Sequence, residues 1–226
     1  MSKAKIQQCL SHTTVRIFGD SNGFRIFNVF DAMMNPKCVQ PSAKSQKGAK
    51  LTMWNVHTVC TKADKDFHMT FDPHKAHLYA ASNSAQPIQK SGDVTQYIDQ
   101  IPSAGRYIVV VHYYLHLVAG HISIAHNRLL KLRAAIERAS SRNKEVFIAF
   151  RGPHIIAVEW AENHSLGGDV QSLFYHELIK EVFRDLKDRV IFLDGWEMSI
   201  AIENTQVHPL DDIPRAMVNT LLSYIC

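Results

Sequence analysis

Apolar residues are spaced along the chain in two ways, as short runs and as longer stretches in which they recur every three or four positions. The short runs predict strands. They cover residues 15–18, 51–57, 107–111, 145–150 and 190–193. The longer stretches predict helices between the strands. They cover the residues from 21 to the proline at 36, then 94–101, 123–142, 170–186 and a closing helix that begins near 211.

Strands that alternate with helices favour an α/β fold with a mostly parallel sheet and right-handed crossovers. The prediction is a three-layer sandwich around a five-stranded sheet. Residues 107–111 read YIVVV, which is typical of a central strand buried on both faces. Residues 37–50 have the composition of a solvated loop, and residues 58–92 show no persistent period.

The composition is that of an ordinary globular protein. Of 226 residues, 46% are hydrophobic and 20% are charged, which fits one larger domain spanning 1–226. The net charge of +4 is spread along the chain and forms no basic patch, so no nucleic-acid partner is expected. The first residues lack the apolar core of a signal peptide, and no apolar run is long enough to span a bilayer.

The metal-ligating residue types form no convincing site. The four cysteines include no C-x-x-C pair, which argues against a zinc ribbon. His74 and His77 are three residues apart, but Pro73 and the lack of a paired acidic or cysteine ligand weaken a metal site there. No metal is expected.

Ser21 follows the first predicted strand and begins the first long helix. In the segment FGDSNG, Gly19 relieves crowding in the turn, Asp20 can cap backbone donors, and the Ser21 hydroxyl can act as a nucleophile. The helix start favours a developing negative charge. The same composition is also that of an ordinary turn.

His208 lies on the loop between the last predicted strand and the closing helix. In a parallel sheet, the loops after the first and last strands meet at the carboxyl edge. A serine and a histidine brought together there provide a nucleophile and its general base. We therefore predict that Ser21 and His208 form a catalytic pair.

These residues also carry a resemblance to a known family. Its most specific segments are GDS at 19–21, LDGWEM at 193–198, VHP at 207–209 and LSYIC at 222–226. They resemble the C-terminal domain of the NXPE family, which is similar to the PC-esterases of the SGNH (GDSL) hydrolase superfamily. Further similarity at 9–10, 54–57, 97–99, 107–116 and 133–138 extends it over nearly the whole chain.

The resemblance implies a flavodoxin-like, SGNH hydrolase-like sandwich with Ser21 as nucleophile, His208 as base and no cofactor. Related enzymes add or remove acyl groups, typically acetyl, on glycan hydroxyls, and some NXPE proteins are associated with O-acetylation of sialic acids. The implied partners are a glycan or glycoprotein and an unknown acyl donor, in the secretory pathway or outside the cell. The sequence does not separate a transferase from an esterase.

The triad acid departs from the superfamily pattern. That pattern has an aspartate three residues before the histidine, where this chain has Thr205. Asp194, at the end of the last predicted strand, is the preferred substitute, with Glu197 and Glu203 as the others. The departure supports an alternative function, a catalytically silent domain that binds a glycan or a protein.

The oxyanion donors are the second departure. The resemblance places them after the second and third strands, where this chain offers Asn55 and His57, and then His116. The predicted roles are oxyanion stabilisation or substrate binding. Tyr114 stands where the NXPE pattern has a glycine, and a bulky ring there would narrow the pocket.

Cys9 and Cys226 occupy positions that resemble family cysteines. They would lie close together if the first strand is central and the closing helix packs beside it. We predict a disulfide between them in a secreted protein, and two buried free thiols otherwise.

Overall fold

A single sheet forms the middle layer of the fold. The computed structural model describes residues 1–40, 54, 56–73, 93–114, 121–155, 168–204 and 206–226. The strands are β1 (Thr13–Gly19), β2 (Lys37–Val39), β3 (Thr58–Lys62), β4 (Phe67–Pro73), β5 (Arg106–Val111), β6 (Val146–Arg151) and β7 (Val190–Leu193). They pair in the order β2-β3-β4-β1-β5-β6-β7. The five strands from β4 to β7 in this order are parallel, and β2 and β3 are antiparallel.

Helices cover both faces of this sheet. They are α1 (Lys3–Cys9), α2 (Ser21–Met34), α3 (Val94–Asp99), α4 (Ile122–Arg142), α5 (Gly168–Val182), α6 (Gly195–Ala201) and α7 (Asp212–Ile225). Apolar side chains of α1, α2 and α7 form the core on one face. Those of α3, α4 and α5 form the core on the other face. Among the described helices, none is both long enough and apolar enough to cross a membrane.

Strand β1 is central and contributes to both cores. Val15 and Ile17 are fully buried in the core with α2 and α7, whereas Phe18 lies in the core with α4 and α5. This alternation follows from the two-residue period of a strand. Because β1 is held by β4 on one side and β5 on the other, its carboxyl end is a fixed point from which α2 begins.

The α/β class and the mostly parallel sheet are confirmed, and the described part of the chain has seven strands in place of five. Strands β1, β5, β6 and β7 lie where the sequence predicts them. The strand predicted at 51–57 lies mostly outside the described residues, and the parallel neighbour of β1 is instead β4. Strand β4 arises within 58–92, where Phe67, Met69 and Phe71 alternate with polar residues and are buried. Strand β2 occupies part of the predicted loop 37–50 because its edge position needs few apolar residues.

Two disulfides join distant parts of the chain. The predicted bond between Cys9 and Cys226 is present, with the two Cα atoms 5.7 Å apart. It connects the end of α1 to the end of α7, and the Arg106 guanidinium donates hydrogen bonds to backbone carbonyls at both ends. A second disulfide, Cys38–Cys60, joins directly opposite residues of β2 and β3 and was not predicted from the sequence.

The two disulfides should contribute unequally to stability. They close loops with sequence separations of 217 and 22 residues. In the chain-entropy model these loops correspond to about 5 and about 3 kcal/mol. Replacing Cys9 and Cys226 by alanine should therefore lower the free energy of unfolding more than replacing Cys38 and Cys60. Urea unfolding of the two double variants measures the difference, and an equal or reversed loss would contradict the expectation.

Candidate active site

Ser21 lies at a tight strand-to-helix turn. Asp20 is fully buried and caps α2, with its Oδ1 accepting a hydrogen bond of 2.7 Å from the Asn22 N–H. A Cβ added at Gly19 would lie 3.0 Å from the Gly23 Cα and 3.2 Å from the His112 Cβ. The close approach of strand end and helix start therefore requires glycine at position 19. Ser21 is the first residue of α2, where the helix dipole favours negative charge.

His208 is in direct contact with Ser21. Its Nε2 lies 2.8 Å from the Ser21 Oγ. The two residues are near opposite ends of the sequence, but they meet at one edge of the sheet. With a neutral imidazole the serine O–H donates to Nε2, which is the geometry in which a histidine removes the proton of a nucleophile. The structure thus brings together the two residues that the sequence predicts as a pair.

The backbone carbonyl of Val207 fixes the histidine loop. It accepts hydrogen bonds from the Asn22 amide at 3.2 Å and from His154 Nε2 at 2.9 Å. On the other side of the loop, the buried Asn204 accepts a hydrogen bond of 3.1 Å from the Leu210 N–H. The residue before His208 is therefore tied both to the first turn of α2 and to the segment that follows β6.

His154 acts in this arrangement as a neutral donor. It is fully buried, and its burial, together with the nearby charge of Arg151, holds its pKa well below the ordinary value of 6.5. Its Nδ1 is buried without a hydrogen-bond partner in the described part of the chain. Since Nε2 donates to a carbonyl, the proton of the neutral ring is on Nε2.

His208 is also biased toward the neutral form. Partial burial is the largest cause that lowers its pKa, and the Arg25 charge lowers it further, against a smaller opposing effect of Asp20. Arg25 lies one turn after Ser21 on α2 and donates a hydrogen bond of 2.6 Å to the Asp211 carboxylate. A neutral imidazole can accept a proton, so the shift favours His208 as a base near neutral pH.

A buried arginine lies beneath the nucleophile turn. Arg151, at the end of β6, is 1% exposed, and burial lowers its pKa to about 10, which leaves it charged at neutral pH. Its Nη1 donates to His112 Nε2 at 2.9 Å, and the same His112 nitrogen lies 3.5 Å from the Asp20 carboxylate. Arg151 and Asp20 are thus opposite charges buried near the same nitrogen of one imidazole.

Asp194 has contacts other than the predicted ones. It caps α6, accepting a hydrogen bond of 3.1 Å from the Glu197 N–H, and its second oxygen lies 3.8 Å from His176 Nε2. Within the described residues it makes no contact with His208. No contact therefore supports the expected role of Asp194 in orienting His208. The reason is that helix α6 begins at the end of β7 and the Asp194 carboxylate caps it.

The other predicted residues fall into two groups. Asn55 and His116, and also Thr205, lie outside the described residues. His57 is described, and its Nδ1 lies 3.0 Å from the carboxylate of Asp72 at the carboxyl end of β4. Tyr114 is fully buried, with its hydroxyl bonded to Ser172 and to the His154 carbonyl, so it fills the interior behind the site.

Sequence reasoning missed Asn22, Asp72, Arg151 and His154. Two of these positions carried a signal, since Asp72 and Arg151 are charged residues at the carboxyl ends of β4 and β6. His74 and His77, the weak metal candidates, lie outside the described residues. In the described part of the chain, one group of possible ligand atoms lies close together, at Asp31, Cys38 and Cys60, but its two sulfurs form a disulfide.

Comparison with known proteins gives fold similarity to two solved structures. One is described as a GDSL-like lipase from Parabacteroides merdae ATCC 43184, at 9% identity and a TM-score of 0.49, covering 95% of this chain and 96% of that one. The other is Est24, a carbohydrate acetylesterase from Sinorhizobium meliloti, at 10% identity and a TM-score of 0.49, covering 95% and 98%.

A family comparison covers the chain from end to end. The model described as NXPE family member 4-like, C-terminal domain, matches residues 1–226. The match includes both the turn with Ser21 and the loop with His208. The chain therefore belongs to the NXPE family and corresponds to its C-terminal domain.

Proposed function

We propose that this domain is an acyl-ester enzyme that acts on glycan hydroxyls through a Ser21 acyl-enzyme. The observation that supports this most directly is the 2.8 Å contact between Ser21 Oγ and His208 Nε2. The pair lies at the carboxyl edge of the sheet, where α/β folds bind their ligands. The pairing of a serine with a histidine supports the acyl-ester chemistry. The family resemblance suggests the substrate, which would be a sialic acid or a related sugar.

In the first step, Ser21 Oγ attacks the acyl carbon while His208 Nε2 takes the hydroxyl proton. The imidazolium then returns this proton to the leaving alcohol as the acyl-enzyme forms. Helix α2 points its first backbone N–H groups toward the developing oxyanion. The Asn22 N–H already donates to Asp20, so the Ser21 N–H is the candidate donor. Asn55 and His116 remain candidates for the second hydrogen-bond donor to the oxyanion.

In the second step, the acyl group leaves Ser21 for an oxygen nucleophile. His208 activates either water, which makes the domain an esterase, or a sugar hydroxyl, which makes it an O-acyltransferase. Both outcomes use the same acyl-enzyme and the same base. A glycan or glycoprotein is thus the proposed substrate in either direction.

The alternative is a catalytically silent domain that binds a glycan or a protein. One observation favours it, since His208 makes no contact with a carboxylate among the described residues. In a serine triad the acid fixes the imidazole and stabilises the imidazolium. Here the backbone clamp on Val207 fixes the loop, and the weaker field of Asp20 is opposed by Arg25 and Arg151.

Replacing Ser21 or His208 decides between these two functions. Ser21→Ala should abolish covalent labelling by an active-site serine phosphonate, and His208→Ala should slow it by about 10²–10⁴-fold because the base is lost. Intact mass spectrometry measures the labelling, and circular dichroism checks the fold. Ser223→Ala, which changes an exposed serine of α7, is the control. Equal labelling of all variants, or of none including the native chain, would favour the silent domain.

The pH profile of acylation should report His208. Its pKa is lowered from the ordinary value of 6.5, so the midpoint of the acidic limb of the acylation rate should lie below pH 6.5, where the imidazole becomes protonated. Arg25→Gln removes a cation that disfavours this protonation. The acidic limb should therefore move to higher pH by roughly 0.3–1 unit.

The control for this shift is Arg133→Gln, which removes an arginine of α4 that pairs with Asp185. It should leave the limb in place. An Arg25→Gln limb that stays in place, or that moves to lower pH, would contradict the assignment of the limb to His208.

The loop clamp should matter more than Asp194. Asp194→Asn keeps a helix cap and should change the acylation rate by less than about threefold, because an asparagine caps as well as an aspartate. His154→Phe keeps an aromatic ring at this position but removes one of the two donors to the Val207 carbonyl. The lost hydrogen bond costs about 1–3 kcal/mol of stabilisation of the loop. We expect at least a tenfold slower rate for this variant. Stopped-flow acylation of both variants measures this, and a greater loss in Asp194→Asn would restore the triad role.

A further inference from the structure

A second histidine lies at the same sheet edge and has a carboxylate partner. His57 Nδ1 lies 3.0 Å from Asp72 Oδ1, and the Asp72 side chain is 4% exposed. Arg16 binds the same carboxylate with both its Nε, at 2.6 Å, and its Nη2, at 3.2 Å. The guanidinium lies 4.0 Å from the centre of the Tyr97 ring, which fixes it from the other side. The His57 imidazole is thus attached to a rigid buried ion pair.

These contacts determine which nitrogen of the neutral imidazole carries the proton. Burial works to raise the pKa of Asp72, but the hydrogen bonds from His57 and Arg16 outweigh it and hold the pKa below its ordinary value. The carboxylate is therefore ionised and can only accept hydrogen bonds. Nδ1 of His57 must carry a proton, so in the neutral ring Nε2 presents a lone pair. A neutral His57 cannot be an oxyanion donor.

The position of His57 is at the same edge of the sheet as the nucleophile turn. In the register of the sheet, Asp72 lies opposite Phe18 and Pro73 lies opposite Gly19, the last two strand residues before the turn. The ring of Phe71 packs against the first turn of α2, where its centre lies 5.0 Å from the centre of the Phe24 ring. His57, whose side chain is 34% exposed, precedes β3 at this same edge. Its Nε2 has no hydrogen-bond partner among the described residues.

We infer that His57 Nε2 accepts a hydrogen bond from a hydroxyl of the substrate, next to the acyl group that Ser21 attacks. This inference rests on the proposed function and adds a residue that selects hydroxyl-rich esters over simple ones. A carboxylate-bound imidazole suits this task, because Asp72 fixes both the ring orientation and the proton on Nδ1. An alkyl or aryl ester has no hydroxyl to donate and gains nothing from the contact.

The test compares two esters and three variants. The esters are para-nitrophenyl acetate, whose acetyl and leaving groups carry no hydroxyl, and an O-acetylated sialic acid. His57→Phe keeps an aromatic ring without the lone pair, and His57→Gln keeps an acceptor oxygen near the position of Nε2. His12→Phe is the matched control, because His12 Nδ1 lies 3.1 Å from Asp66 at the opposite edge of the sheet.

We expect His57→Phe to lower kcat/KM for the sugar ester by about tenfold, mainly through KM, since one neutral hydrogen bond is lost. The rate with para-nitrophenyl acetate should not change, His57→Gln should retain most of the sugar activity, and His12→Phe should match the native chain on both esters. Unchanged sugar kinetics in His57→Phe would overturn the inference. Equal losses on both esters would also overturn it, because His57 would then support Ser21 rather than the substrate.

Failure of the proposed function gives a different result. The native chain would then turn over neither ester, and Ser21→Ala would behave as the native chain does. In that case saturation-transfer NMR with the same O-acetylated sialic acid still decides the role of His57. Weaker binding to His57→Phe than to His12→Phe supports the hydroxyl contact, and equal or absent binding overturns it.

Discussion

The site depends on the hydrogen bonds that end on one backbone carbonyl, that of Val207. Ser21 is positioned by a central strand, whereas His208 lies on a loop between a seven-residue helix and α7. Such a loop has no regular backbone hydrogen bonds of a helix or sheet to hold it in place. The Asn22 and His154 donors attach it to the start of α2 and to the end of β6. The contact between His208 and Ser21 is therefore maintained by the same turn that carries Ser21.

One donor of this clamp, Asn22, is in turn held by a buried charge, because its backbone N–H donates to Asp20. Asp20, Arg151, His112 and His154 are each nearly or fully excluded from water. An isolated buried charge would be very unfavourable, but here the cation and the carboxylate both lie close to His112 Nε2. Replacing such a pair with apolar residues often leaves stability unchanged or raises it. We therefore interpret the network as fixing the geometry of the nucleophile turn.

Local signals explain which parts of the fold and site the sequence predicts. The strand and turn around Ser21, the strands β5 to β7 and the start of α7 can each be recognised from a few neighbouring residues. Strand β4 was missed although Phe67, Met69 and Phe71 alternate with other residues. The polar residues between them and the short connection from β3 obscure this alternation. The clamp on Val207 and the pairing of His57 with Asp72 involve residues 15 to 185 positions apart. No sequence period encodes contacts of that kind.

The two histidines of the site are complementary in their electrostatics. His57 has a buried carboxylate on Nδ1, which holds the proton there and fixes the ring, but that carboxylate is already shared with Arg16. His208 has no such partner among the described residues, and the balance of burial and neighbouring charge lowers its pKa. A lowered pKa makes His208 a weaker base, yet it keeps the imidazole neutral and hydrogen-bonded to Ser21. In the proposed reaction this arrangement favours availability of the base over its strength, and the oriented, carboxylate-bound imidazole is the one that we propose as a contact of the substrate.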